Sequence, residues 1–492
     1  GLDLRPRQLF EHQTVRELAA AATGVDVAAE RPSAVGDVAL TPIQCWFVEQ
    51  GHERPDHWNQ TLDLDVDPET DLDALFDALE DVRLRHEQLR CRFELASNPP
   101  RQVIMDHPAP LVRRELDLAA PEQWADAVEE LESSLNLSGG QLVGVLLGQR
   151  SGRPERLAVT IHHLVVDGVS WSTILEDWTA AYVARAAGRV PTLPDRSASF
   201  QQWARTLESA AHDDRYRSGR SAWRTQAHTP ERDAELRRAP ANSESAARTE
   251  RRSIDPASTE RLLSLGGGSD AAPSVEDVLL TALARSVSAW RPGRPVPVTL
   301  EGHGREEVGD PPLDVSRTVG WFTTMFPVVL DVDPDDDPAD AVAAVSAQLR
   351  SIPDRGIGYG IDRYLRDDST VDRELPVVAF NYLGQLDRVM RAAWPFTGIG
   401  ELRGANGPVN RRGQLLGVVA VVRDGSLSIL VEYLPEHMAA ADAVALADDL
   451  TADIARLTEA AATVAPAVPS FDLLDQSDAD AAQLGALLDQ FD

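Results

Sequence analysis

Residues 162–171 read HHLVVDGVSW. It follows LAVTI (157–161), and LAVTIHH together is a short, β-branched run bounded by polar residues, which predicts a strand. An Asp-Gly turn comes next, then a helical stretch from about Thr173 to Ala186, giving strand, tight turn and helix. Strand alternation sends His162 and His163 to opposite faces, so only one should face a given cavity. A histidine titrates near neutral pH and suits proton transfer. Asp167 either assists that histidine or buttresses the turn through an arginine. Gly168 permits a tight turn and the close approach of a ligand. A lone histidine at a strand end is more often a satisfied core residue; ten residues of this composition in sequence point to a site.

Outward from this stretch the chain alternates helix and strand signals. Residues 71–90 carry Leu72, Leu75, Phe76, Leu79 and Val82 at helical spacing and run into CRFEL, a candidate strand. Residues 228–253 are charged, with few apolar side chains, and are expected to be an exposed crossing between two lobes. SVED (274–277) has capping-box spacing and opens a helix reaching about Trp290. VPVTLEG (296–302), MFPVVLDV (325–332) and PVVAFNY (376–382) are strand candidates. QLLGVVAVV (414–422) and SLSILVEY (426–433) flank Arg423-Asp424-Gly425, a hairpin signal, and a last helix covers about 438–459. The order predicts an α/β protein of two similar-sized lobes with a cleft between them.

With 492 residues and 43% hydrophobic content, the chain can bury a sizeable core. The formal net charge of -32 repels phosphate backbones, so nucleic acid is not an expected partner. No run approaches eighteen consecutive apolar residues, and no basic segment leads into an apolar one at the start, so neither a membrane span nor a leader is expected. Two cysteines, Cys45 and Cys91, make no disulfide framework or CxxC zinc pair, which fits a cytoplasmic protein with no metal site. The sequence has no lysine, which removes Schiff-base chemistry. No glycine-rich phosphate loop is present, so nucleotide binding is not supported.

HHLVVDGVSW resembles the HHxxxDG signature of the condensation-domain superfamily of nonribosomal peptide synthetases. Its Ser-Trp ending resembles the epimerization branch. LTPIQCWFVEQ (40–50), RHEQLRCRF (85–93), EGHGRE (301–306), TVGWFTTMFPV (318–328) and FNYLGQ (380–385) resemble further segments of that family, in the family's order. The likeness spans roughly residues 38–475. It implies two lobes like chloramphenicol acetyltransferase, arranged as a V-shaped pseudodimer around a central cleft or tunnel. The divisions expected are an N-terminal lobe over 38–227, a C-terminal lobe over 228–475 and a tail over 476–492. Residues 1–22 resemble the last helices of a peptidyl carrier protein, joined by a linker over 23–37. The carrier serine that bears 4'-phosphopantetheine is not in this sequence, so the arm is expected to be delivered by the upstream carrier.

By the same resemblance, His163 is the catalytic histidine and Glu301 the other acid/base. Each ends a predicted strand, one in each half, so two lobes could set them on opposite sides of one Cα. Inverting a carbon needs a proton removed from one face and delivered to the other. Glu301 would be the base or the reprotonating acid, with His163 stabilising the enolate or shuttling the proton; a two-base scheme is equally allowed. His162, Asp167, Gly168 and Arg90 are expected in supporting roles, with Arg90 pairing Asp167 as in the family. Arg305 could fix the loop or meet a phosphate. Ser170, Trp171, Asn381 and Tyr382 are expected on the substrate side. The expected activity is Cα epimerization of an aminoacyl or peptidyl thioester, with an upstream carrier and adenylation domain and a downstream condensation domain or docking partner. The alternatives are a condensation domain, which would form a peptide bond with the same histidine, and an inactive carrier-docking scaffold.

Overall fold

The computed structural model describes residues 34–118, 123–195, 197–226, 242–265, 272–291, 295–366, 369, 375–385 and 393–464, with the backbone pairs 2–3 and 23–24. Beyond those two backbone pairs, the expected carrier remnant (1–22) lies outside the described residues, as does the tail (476–492). The N-terminal half supplies α1 (Pro42–Gln50), β1 (Trp58–Val66), α2 (Leu72–Arg85), β2 (Val112–Asp117), α3 (Gln123–Glu132), β3 (Val143–Arg150), β4 (Arg153–His162), α4 (Gly168–Ala186) and α5 (Phe200–Ala210). The C-terminal half supplies β5 (Arg248–Ile254), α6 (Val275–Trp290), β6 (Val296–Gly302), β7 (Thr324–Leu330), α7 (Pro338–Arg350), α8 (Ile357–Tyr364), β8 (Val378–Gln385), β9 (Phe396–Asn406), β10 (Leu416–Arg423), β11 (Ser426–Tyr433) and α9 (Ala440–Val464).

The local chemistry explains most of these boundaries. In α6, Ser274 and Asp277 close the capping box that SVED predicts. Asp424 (φ 48°) and Gly425 (φ 71°) make the two-residue turn between β10 and β11, whose positive φ angles match the twist of the flanking strands. α4 starts at Gly168 rather than near Thr173, because the Asp167 carboxylate accepts from Ser170 N and caps the first turn. The expected linker over 23–37 ends in structure: Gly36–Val38 pairs with Arg101–Ile104.

Each half builds a sheet backed by helices. The six-stranded sheet runs β5-β11-β10-β8-β6-β7, with β6/β8 and β8/β10 parallel. Leu300, Phe326, Phe380, Val418 and Val431 share one apolar cluster with residues of α6, α7 and α9. The five-stranded sheet runs β9-β1-β4-β3-β2, with Leu62, Val145 and Val159 in a cluster with residues of α2 and α4. The α/β, two-lobed architecture is therefore the one expected.

Two expectations need correction. Part of 228–253 is not a mere crossing: β5 is the edge strand of the six-stranded sheet. Its charged side chains concealed it, and charge is how proteins protect an edge from unwanted pairing. The division at 227/228 is also not clean. β9 comes from the C-terminal half but pairs antiparallel with β1 as an edge strand of the N-terminal sheet.

Candidate active site

His162 and His163 separate because the strand ends between them. His162, the last residue of β4, is fully buried and its Nε2 lies 2.8 Å from Pro55 O. Burial pushes its imidazole down to about 3, so it is a neutral structural residue, as expected of the pair's first member. His163 opens a short 3₁₀ turn and is half-buried. Its Nδ1 lies 2.8 Å from Val166 O, and its Nε2 lies 3.2 Å from Gln60 Nε2.

Gln60, on β1, decides the tautomer. Its Oε1 accepts from Trp171 Nε1 at 2.8 Å, which leaves its amide nitrogen facing His163. An amide nitrogen only donates, so His163 Nε2 must accept, and Nδ1 carries the proton that it gives to Val166 O. Burial also holds the imidazole below its ordinary value. His163 is thus neutral near pH 7, with a lone pair on Nε2. The Trp321 ring lies against it, centroids 4.4 Å apart at 35°.

Glu301 sits near the end of β6. Leu300, Phe326 and Phe380 point into the helix-side core, so alternation sends Glu301, Met325 and Asn381 to the other face of the sheet. Asn381 Nδ2 donates to Glu301 Oε2 at 2.7 Å. The carboxyl is pushed up to about 7, first by burial and second by the Glu432 carboxylate. Asn381 therefore meets Glu301, as neighbours on adjacent strands. Tyr382, half-buried, packs against the core, and burial raises its phenol.

Arg305 ties the motifs together. Its Nη2 reaches Asp167 Oδ1 at 3.1 Å and Ser170 Oγ at 3.0 Å, and its Nη1 donates to Val315 O and Thr318 O, both at 2.8 Å. Its guanidinium also lies 3.9 Å from the centre of the Phe322 ring. Asp167 Oδ2 accepts from Phe322 N at 3.1 Å. HHLVVDGVSW, EGHGRE and TVGWFT, far apart in sequence, thus converge on one buried ion pair linking the two lobes. Gly304 makes this possible. It adopts φ 70°, and a Cβ there would run into the Phe322 carbonyl, so only glycine lets the loop approach this closely.

Four expected roles change. Arg90 is not the partner of Asp167; it donates to Met105 O and Ala34 O, and Arg305 holds the carboxylate. Ser170 and Trp171 do not face substrate: both are fully buried. Ser170 Oγ bonds Gly320 and Arg305, and Trp171 Nε1 bonds Gln60. Gly168 has no positive φ, and a Cβ there would meet open space; it is the first residue of a capped helix. Two residues escape a reading of the sequence. Gln60 lies inside an unremarkable strand, and Trp321 reads as a packing residue although its ring lies on the histidine.

One short segment links His163 to the strand that bears Glu301. Trp321 touches His163, and Met325 is the cross-strand partner of Glu301. Their Cα atoms are four residues apart, at most about 14 Å along an extended chain. The Trp321–Met325 segment thus runs from the His163 ring to the strand beside Glu301.

Residues 35–433 match the condensation domain family. The chain is 36% identical over 461 residues to one of the linear gramicidin synthase subunits of Brevibacillus parabrevis, covering 88% of this chain and 9% of that protein. It is 32% identical over 453 residues to surfactin synthase subunit 1 of Bacillus subtilis (strain 168), covering 88% and 12%. The chain thus spans about a tenth of the relatives it matches. Among solved structures, the epimerization domain from the third module of tyrocidine synthetase B is similar with a TM-score of 0.78 and 29% identity, covering 88% of this chain and 100% of that one. The first condensation domain of the CDA synthetase shares the fold at a TM-score of 0.62 and 19% identity, covering 87% and 96%. The motifs, the two-lobed fold and these matches agree: the chain belongs to the condensation domain family.

Proposed function

We propose that the chain is an epimerization domain of a nonribosomal peptide synthetase, inverting the Cα of an aminoacyl or peptidyl residue held as a thioester on a carrier protein. The observation that carries this reading is Glu301. A peptide-bond-forming site needs one base, whereas inversion needs proton-handling groups on two faces of the same carbon. Here a carboxyl poised near neutrality stands on the lobe opposite a neutral histidine. The likeness to the tyrocidine synthetase epimerization domain supports the same branch.

The chemistry balances within the site. One group takes the Cα proton, the C–H electron pair moves onto the thioester oxygen as an enolate, and the other group returns a proton to the opposite face. The thioester carbonyl makes that proton acidic, and the enolate charge calls for hydrogen-bond donors near its oxygen. His163 Nε2, whose lone pair accepts from the Gln60 amide, can remove or transfer a proton once substrate takes that amide's place. Glu301, close to half-protonated at pH 7, can serve in either direction, so L and D products form from one site. The arm is 4'-phosphopantetheine of an upstream carrier protein, loaded by an adenylation domain, and a downstream condensation domain or docking partner takes the product.

The test is the chirality of a loaded carrier. The chain, with its carrier, is presented with an L-aminoacyl or L-peptidyl thioester in D₂O, the thioester is hydrolysed, and the enantiomers and Cα deuterium are measured. A mixture of L and D with deuterium at Cα, lost in His163→Ala and Glu301→Gln, is expected. A competent load that stays wholly L and unlabelled across several residues and chain lengths overturns the reading. Peptide-bond formation by the same domain would install the condensation alternative.

A further inference from the structure

The segment from Trp321 to Met325 lines a small cavity with free space of about 30 Å³. Most of its other walls are apolar, Trp46, Trp203, Leu207 and Ile357 among them. Three residues of the lining each carry a buried polar atom with no hydrogen-bond partner in the protein: Trp321 Nε1, Thr324 Oγ1 and Arg363 Nε. Trp321 is only 4% exposed and the Arg363 side chain 5%. Leaving one such atom unmatched is costly, and three around one small space call for a common partner.

We infer that this cavity binds ordered water, one molecule or two, and that the water fixes the indole of Trp321 against His163. A buried water needs roughly 10–15 Å³ of such space and commonly makes about three hydrogen bonds to buried polar groups. The cavity offers both the room and the three atoms. Trp321 Nε1 and Arg363 Nε can only donate, so the occupant must accept. A water oxygen accepts from both and gives one of its own protons to Thr324 Oγ1. An apolar occupant would leave all three atoms unmatched. An anion is not called for, because Glu49 already meets the Arg363 charge, its Oε2 2.5 Å from Nη2. The bridge bears on the site because of where its ends lie. Trp321 packs in the N-terminal cluster, its ring centroid 4.4 Å from that of His163 at a tilt of 35°. Thr324 belongs to β7 and Arg363 to α8. Turning the indole about its Cβ–Cγ bond would carry Nε1 off the water, so the water sets the face that the ring presents to the imidazole. Thr324 and Arg363 therefore act on His163 through Trp321, as positioning residues.

A crystal structure fine enough to place waters tests the site without any turnover. Water density within about 2.7–3.2 Å of all three atoms is expected, and a bromide soak should leave no anomalous peak there. Thr324→Val keeps nearly the same shape without the hydroxyl; it should displace the water and let the indole turn from its tilt, while Thr324→Ser should preserve both. The kinetic arm rests on the epimerase reading. Thr324→Val should lower kcat about fivefold at unchanged KM, the loss of one hydrogen bond, and Thr324→Ser should restore it, whereas a purely structural role would lower Tm and leave kcat alone. Absence of water density in the parent, or a bromide peak at that place, overturns the inference, and so does Thr324→Val with the parental indole tilt and kcat. Water and an indole that turns with its loss, in a domain giving no D product, would keep the bridge and discard the epimerase.

Discussion

Asp167→Ala should destabilise the protein rather than simply silence it. The carboxylate accepts from Ser170 N at 2.8 Å, from Phe322 N at 3.1 Å and from Arg305 at 3.1 Å. The Asp167 and Arg305 side chains are only 6% and 9% exposed. Removing one partner of such a pair leaves a buried charge uncompensated, which costs about 3–5 kcal/mol. Loss of the α4 cap adds about 1 kcal/mol, although neighbouring effects do not sum. Asp167→Asn keeps an oxygen for the cap and should cost about half as much. The assay is guanidinium unfolding of the parent, Asp167→Asn, Arg305→Met and the double variant, read by tryptophan fluorescence. The double variant should be less destabilised than the two single costs added, by more than about 1 kcal/mol. Additivity within about 0.5 kcal/mol would refute the coupling. Coupling of Asp167 to Arg90 in a parallel cycle would return the pairing to the arginine first expected.

Gln60→Leu should lower kcat about fivefold with KM little changed, since one hydrogen bond of about 1 kcal/mol orients the imidazole; Gln60→Glu should be worse, because a carboxylate favours a proton on Nε2. Glu301 binds its extra proton in the folded state between its ordinary 4.5 and about 7. Stability should therefore fall as pH rises through that window, and Glu301→Gln should flatten the slope in melts at a series of pH values. His162 and His52 are held by burial at about 3 and about 4, below the ordinary 6.5. Their contribution is whole above pH 6.5 and lost as pH falls toward those values, so His162→Gln should lessen acid destabilisation. An unchanged acid limb in that variant would assign it elsewhere.

The motif residues were legible because each is a short local pattern, and His163, Asp167, Arg305 and Trp321 do meet. What sequence could not supply was pairing across distance. Nothing local distinguishes Arg90 from Arg305 as the partner of Asp167, because a buried carboxylate is matched by whichever guanidinium the fold delivers. Gln60 is 103 residues from His163, and its importance comes from a single amide orientation set by Trp171. Ser170 and Trp171 sit in a functional motif yet point inward, since a helix that starts at Gly168 turns them toward the core. β9, whose sequence FTGIGELRGAN is glycine-rich with few β-branched residues, gave no strand signal. It forms by pairing with β1, not from its own propensity.

That strand also governs how the protein comes into being. β1 emerges from the ribosome more than three hundred residues before its partner over 396–406. Until then one flank of the N-terminal sheet presents unpaired backbone groups, an invitation to join a neighbouring chain. The first lobe therefore completes its sheet only after the second has been synthesised. Engineers who exchange lobes between synthetases would cut through this ladder if they joined chains near residue 227, and a junction that keeps residues 396–406 with their own β1 preserves it.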